Sequence, residues 1–276
     1  MSWPTVDLTL ARRLEHAEGA ASAAFVDARA RLVPAHGATW IAVDGVRAMF
    51  DGVGSPLTQT FGLGLDQPVG DATLTALERF FLDRGAAVDH EVSPLAEGEP
   101  LPLLTARGYV PIELTDVLCR PLTADDAIEL PSPLAVAPIA PADGRAWAEA
   151  AADGWSETPE VVPFVRDLGG VYPHTAGATC YAAFDGDTIV AAGVLAAHAG
   201  VAVLAGASTR PAWRRRGAQA ALLATRLRDA HRQGCDLAMI CARPGSASHR
   251  NAQRRGFRVA YTRIKWHRPA EPSSPS

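Results

Sequence analysis

An internal repeat constrains this chain more than any other feature. The stretches ERFFLDRGAAVDHEV (Glu78 to Val92) and TRLRDAHRQGCDLAM (Thr225 to Met239) each read as an amphipathic helix, a Gly stop and a short apolar strand. Further on, ARGYVPIELTDVLCRP (Ala106 to Pro121) parallels RRGFRVAYTRIKWHRP (Arg254 to Pro269). Gly108 and Gly256 lie 148 residues apart, as do Pro121 and Pro269. One Gly-aromatic match is what chance supplies; helix, Gly, strand, helix, Gly-aromatic and Arg-Pro in one order imply two copies of one α/β unit. The stretch IELPSPLAVAPIAPADG (Ile128 to Gly144) has the most linker-like composition. Domains are therefore expected at 1–127 and 145–269, with a linker at 128–144 and a disordered tail at 270–276.

The 276 residues, 48% of them hydrophobic, suffice for two cores. The start, MSWPTVDLTLARRLEHAEGA, shows no basic stretch followed by an apolar one, so no secretory signal is expected. Cys119, Cys180, Cys235 and Cys241 are scattered without a CxxC pair, which points to neither a metal site nor a disulfide framework and fits a reducing cytoplasm. The uncharged run Ile189 to Ser208 is rich in Ala and Gly and is broken at His198-Ala-Gly200. It reads as two strands and a turn rather than a membrane span, and His198 as a surface residue.

A net charge of -4 conceals an asymmetry. From Val201 to Ala270 there are fifteen Arg or Lys and two acids, a balance of +13, which leaves -17 for the rest. The basic end should meet something anionic.

The C-terminal copy reads as a helical region from Pro141 to Leu168, broken near Gly154 and Pro159, then strands at Tyr181 to Phe184 and Thr188 to Val194 around Asp185-Gly186-Asp187. A strand at Val201 to Thr209 runs into WRRRGAQAAL. A helix from Ala218 to Gln233 follows, with Ala220, Leu223, Leu227 and Ala230 expected on its inner face and Gly234 as its stop. CDLAMIC (Cys235 to Cys241) is a buried strand and Ser246 to Arg255 a short helix. Phe257 to Trp266 is a last strand, with Phe257, Val259 and Tyr261 expected on one face.

Three adjacent arginines repel one another, and the helix start beyond them already carries a positive dipole end. An anion makes the arrangement favourable. A strand, a tight Gly turn and a helix together offer unpaired backbone N–H groups. Gly217 lets a phosphate approach the backbone, and planar guanidinium forks bind its oxygens.

These residues resemble a known family. STRPAWRRRGAQAALL is similar to the acetyl-CoA-binding segment of the GNAT superfamily of N-acetyltransferases, where Arg or Gln, two residues, Gly, one residue and a small residue join a strand to a helix. Arg214, Arg216, Gly217 and Ala218 fall into the pattern, and Gln219 takes its last small position. The resemblance implies two tandem α/β (α+β) domains, each a mixed, mostly antiparallel sheet flanked by helices. It also implies acetyl-CoA as cosubstrate, with Ala207, Ser208 and Thr209 against the pantetheine arm. Arg215, Arg216, Gly217, Ala218, Gln219 and Ala220 would then lie on the pyrophosphate. SHRNAQRRGF (Ser248 to Phe257) is similar to a later motif of the family and places Asn251 near the cofactor.

Acetyl transfer to an amine needs a base, oxyanion donors and an acid. Many family members supply the acid from a Tyr four residues before the Gly of the Gly-Phe pair, which here is Ala252. Tyr261, His249 and Ser208 are the candidates to replace it. The N-terminal copy reads GLGLDQPVGDATL (Gly62 to Leu74) at the matching place, where Asp66 replaces basic charge and Pro68 removes a donor. That copy is expected to be degenerate. The leading reading is an acetyl-CoA-dependent N-acetyltransferase for a small-molecule or peptide amine, free or oligomeric, with no membrane or nucleic-acid partner. A non-catalytic acyl-CoA sensor is one rival. A nucleic-acid-binding module is the other, weakened by the scarcity of aromatics in the basic stretch.

Overall fold

The computed structural model describes residues 3–127 and 134–270. Most of the expected linker is described, but 128–133 and the expected tail at 271–276 lie outside it. Helix α1 spans Leu8–Leu32, and strands β1, β2 and β3 span Thr39–Val43, Val46–Phe50 and Gln59–Phe61. They are followed by α2 (Asp71–Leu82), β4 (Val88–Val92), α3 (Pro100–Ala106) and β5 (Val110–Pro121). The second series opens with β6 (Ala135–Pro138), α4 (Gly144–Asp153), α5 (Val162–Leu168), β7 (Ala178–Asp185) and β8 (Thr188–His198). It closes with β9 (Val201–Thr209), α6 (Ala218–Arg232), β10 (Leu237–Ala242), α7 (Ala247–Arg254) and β11 (Arg258–Arg268).

The repeat is visible in the elements themselves. Moved back by 148 residues, the boundaries of α6, β10, α7 and β11 fall within two residues of those of α2, β4, α3 and β5. The turn glycines agree too: Gly85 and Gly234 have φ of 69° and 83°, and Gly108 and Gly256 have 80° and 83°. Each ends a helix in the left-handed region that glycine tolerates best.

The chain forms two compact units, one of Pro4–Cys119 with Cys241–Ser276 and one of Met1–Trp3 with Arg120–Ile240. These units differ from the linear division expected at 1–127 and 145–269 in that the segment after Ile240 packs with the first half. In that unit the strand order is β1-β2-β3-β4-β11-β5, and β11 is antiparallel to both neighbours. Trp266 of β11, 7% exposed, joins a core of Val46, Leu74, Phe81, Val88 and Tyr109, with Ile264 packed against it. Strand alternation tells which face of β11 is apolar, but not which sheet will receive it.

Two further expectations change. A register shift between Val259 and Tyr261 puts Val259 at 37% exposure while Phe257 and Tyr261 stay buried. On α6 the buried residues are Ala218, Leu222, Leu223, Arg226, Leu227 and Ala230, so the inner face is rotated from the expected one and Ala220 lies at its margin.

The other unit has the order β10-β9-β8-β7-β6, antiparallel except where β10 meets β9. The run Ile189 to Ser208 is the β8–β9 hairpin, with Ala199 and Gly200 at φ of 47° and 79° in the two-residue turn. Among the described residues no helix is long and apolar enough to cross a membrane. Trp147 of α4 anchors this core, its indole N–H donating to the Tyr181 carbonyl at 2.9 Å.

Candidate functional site

The site begins where β9 leaves its neighbours. β10 pairs with β9 in parallel only from Val201 to Val203. On its other side β9 pairs Ala205 with Val194 and Ser208 with Ala192, so Gly206 and Ala207 together oppose Gly193 alone. This is a β-bulge. Gly206 takes a φ of 60°, and both bulged residues are exposed. Ser208 and Thr209 turn inward: Ser208 Oγ donates to the Ala151 carbonyl at 3.0 Å, and Thr209 Oγ1 accepts from Gln219 Nε2 at 2.7 Å.

Beyond β9 the chain makes a short 3-10 turn (Pro211–Trp213) and enters α6 through the three arginines. They divide in role. Arg214 bonds Glu157 Oε1 at 2.7 Å and the Gly154 carbonyl at 3.0 Å, tying the turn to the end of α4. Arg215 and Arg216 are exposed and have no partner among the described residues. Arg215 holds a φ of 64°, a conformation that costs a non-glycine residue about 1–2 kcal/mol. Gly217, at φ 87°, caps α6 without a side-chain hydrogen bond, and a Cβ built on it would meet nothing within 4 Å. The Ala221 N–H, at 3.0 Å from the Gly217 carbonyl, is the first to close the helical ladder, so the amides before it face outward. A cleft of about 580 Å³ lies alongside, lined by Glu157, Pro211, Ala212 and Arg214 to Arg216. Two uncommitted guanidinium groups, left-handed turn residues and a bare helix start suit a polyanionic ligand such as a pyrophosphate.

The Acetyltransferase (GNAT) family profile matches residues 145–257. Residues 145–257 are a GNAT acetyltransferase domain. Solved structures share the fold. A GCN5-related N-acetyltransferase from Kribbella flavida superposes with a TM-score of 0.63 at 20% identity, over 90% of this chain and 95% of that one. A functionally unknown conserved protein from Staphylococcus epidermidis gives 0.61 at 8% identity, over 85% and 95%. A tandem GNAT protein from the clavulanic acid biosynthesis pathway gives 0.57 at 14% identity, over 83% and 79%. Comparison with curated proteins gives no match.

The GNAT domain's matched segment carries the bulge and the arginine turn within one compact unit, together with Ala207, Ser208, Thr209 and Arg214 to Ala220. Asn251, His249 and Tyr261 belong to the other unit. Asn251 is exposed and accepts a bond from Arg254. His249 and Ala252 form the buried face of α7, so the histidine lies one turn before the position of the family tyrosine. Its Nε2 is 3.1 Å from Asp116 Oδ2. Tyr261 is 6% exposed and donates to Glu15 Oε1 at 3.0 Å; burial pushes its hydroxyl well above the usual tyrosine value.

The N-terminal copy has no matching cradle. Asp66 pairs with His16 at 2.8 Å, and the first turn of α2 carries Asp71, held by Arg107 at 2.8 Å. An acid at a helix start occupies the place an anion would need. Sequence reasoning missed the bulge and Arg226. Gly193 and Gly206, at unusual places within strand patterns, were the available signal for the first.

Proposed function

We propose that the chain is an acetyl-CoA-dependent N-acetyltransferase that acts on an amine of a small molecule or peptide in the cytoplasm. The observation that carries this reading is the arginine turn: Arg215 and Arg216 have no partners among the described residues and lie beside a glycine start of α6 that is open to solvent. The residues present fit the cosubstrate. Arg215, Arg216 and the amides of Gly217 to Ala220 would hold its pyrophosphate, and the exposed edge at Gly206 and Ala207 its pantetheine arm. Bound there, acetyl-CoA would supply the thioester that an amine attacks.

Of the candidate acids, Tyr261 has its proton committed to Glu15. The same commitment, with Ala252 in place of the family tyrosine, favours the second reading, an acyl-CoA sensor without turnover. Calorimetry with CoA should give one site per chain, since only one copy has the cradle. Two equivalent sites, or no binding beside tight and salt-sensitive oligonucleotide binding, would contradict the proposal. Release of free thiol from acetyl-CoA in the presence of polyamines, amino acids, aminoglycosides or peptide N-termini separates enzyme from sensor.

A further inference from the structure

The buried face of α6 repeats every fourth residue as Ala218, Leu222, Arg226 and Ala230. An arginine in the centre of an apolar stripe needs a reason. Arg226 is 2% exposed and makes no ion pair among the described residues. All its hydrogen bonds go to backbone carbonyls, those of Leu222 at 3.3 Å, Val194 at 3.0 Å and Ala205 at 3.3 Å. Burial lowers its pKa to about 10, which leaves it a cation at neutral pH.

Val194 and Ala205 are cross-strand partners that border the bulge. One guanidinium donates to both carbonyls and so ties the two strands together beside the irregularity. Gly193 makes room for it: a Cβ there would lie 2.9 Å from Arg226 Cζ and Nη1. A glycine seat, a bulge and an unpaired buried cation thus form one device, placed where β9 has already parted from β10.

We propose that Arg226 is a positioning residue for the pantetheine arm. By gripping the Val194 and Ala205 carbonyls it fixes the bulge that turns Gly206 and Ala207 outward. This rests on the acyl-CoA reading above. The hydrogen bonds of Arg226 go to Leu222, Val194 and Ala205 and not to the arginine turn or the first turn of α6, so it should govern the pantetheine contribution to binding and leave the nucleotide contribution alone.

The experiment compares calorimetric affinities for CoA and for 3′-phosphoadenosine 5′-diphosphate, which lacks the arm, in the wild type, Arg226→Met, Arg226→Lys and Gly193→Ala. In Arg226→Met the nucleotide should bind within about twofold of wild type, while the advantage of CoA over it falls by about tenfold or more. Gly193→Ala, which keeps the arginine but takes its seat, should do the same. Arg226→Lys should restore part of the advantage. Equal loss for both ligands would assign Arg226 a purely structural role and overturn the proposal, as would an undiminished CoA advantage in either variant. If Arg226→Met does not fold, Gly193→Ala decides. A wild type that binds neither ligand would instead defeat the acyl-CoA reading itself.

Discussion

Glu15 is buried at 1% exposure in a cluster of carboxylates gathered on one guanidinium. Arg263 bonds both oxygens of Glu18 at 2.6 and 3.0 Å, lies 2.9 Å from Glu91 and 3.5 Å from Glu15. Burial raises the Glu15 carboxyl to about 7 against the opposing pull of Arg263, with Glu18 and Glu91 adding repulsion. The folded chain therefore keeps a proton that the unfolded chain releases near 4.5. The stability this contributes is complete below about pH 4.5 and is lost as pH rises through about 7. Glu15→Gln keeps an acceptor for Tyr261 and removes the titration. Its stability relative to wild type should rise by on the order of 1–3 kcal/mol between those pH values, read from denaturant melts. A difference that stays constant with pH would refute the assignment. His90 works in the opposite sense. Fully buried between Thr60 Oγ1 at 2.8 Å and the Tyr109 hydroxyl at 3.1 Å, it is pushed down to about 3 by desolvation. Its contribution is present above about pH 6.5 and is lost as pH falls.

The exposed arginines give a contrasting prediction at the same scale. Because Arg215 and Arg216 hold nothing among the described residues, replacing both with Ala should leave the melting free energy within about 0.5 kcal/mol. CoA affinity should fall by about 1–3 kcal/mol and its salt dependence should flatten, in the manner of solvent-screened charge-assisted contacts. Unchanged CoA affinity by calorimetry would remove the arginine turn from the site.

Among the elements, the β8–β9 hairpin and α6 show what patterning can and cannot convey. The hairpin was legible because Ala199-Gly200 sits between two short Val-containing runs, and its turn has positive φ at both central residues. Alanine is a poor occupant of the first position. Ala199→Asn should therefore raise stability by about 0.5–1 kcal/mol, visible as a higher melting temperature; a decrease would mean that the turn relaxes in solution. The span of α6 was legible from its Gly boundaries. Its buried face was not, since a search for apolar periodicity passes over Arg226 and settles on a neighbouring stripe. The candidate site was legible at Gly217 and the arginines, where local residue types dictate backbone geometry. It was illegible at Gly193 and Arg226, which need each other across thirty-three residues of sequence.

At the scale of the molecule, the repeat announced the order of the elements, while the pairing of β11 stayed hidden. A strand reports its own two faces, but the two vacancies it fills, beside β4 and beside β5, belong to residues far from it in the chain. The consequence is testable by truncation. A chain that stops after Ile240 loses β11 and Trp266 from the core they complete, so Pro4–Cys119 should lose its protease resistance and cooperative melt, whereas the linear division predicts an independent first half. A protease-resistant fragment 1–127 would favour the linear division.

The placement of β11 also sets a schedule for biosynthesis. A polypeptide is made from its N-terminus at about 5–20 residues per second, and domains ordinarily fold as they emerge. Here the first helix and first four strands must wait for the last strand to be translated, roughly 10–30 seconds at that pace, with part of their apolar surface uncovered. The unit made in the middle has all of its strands once β10 is made, about 1–5 seconds before then. Synonymous codon changes that slow translation between β5 and β11 should lengthen this exposed interval and increase chaperone association and aggregation, although the finished protein would be identical.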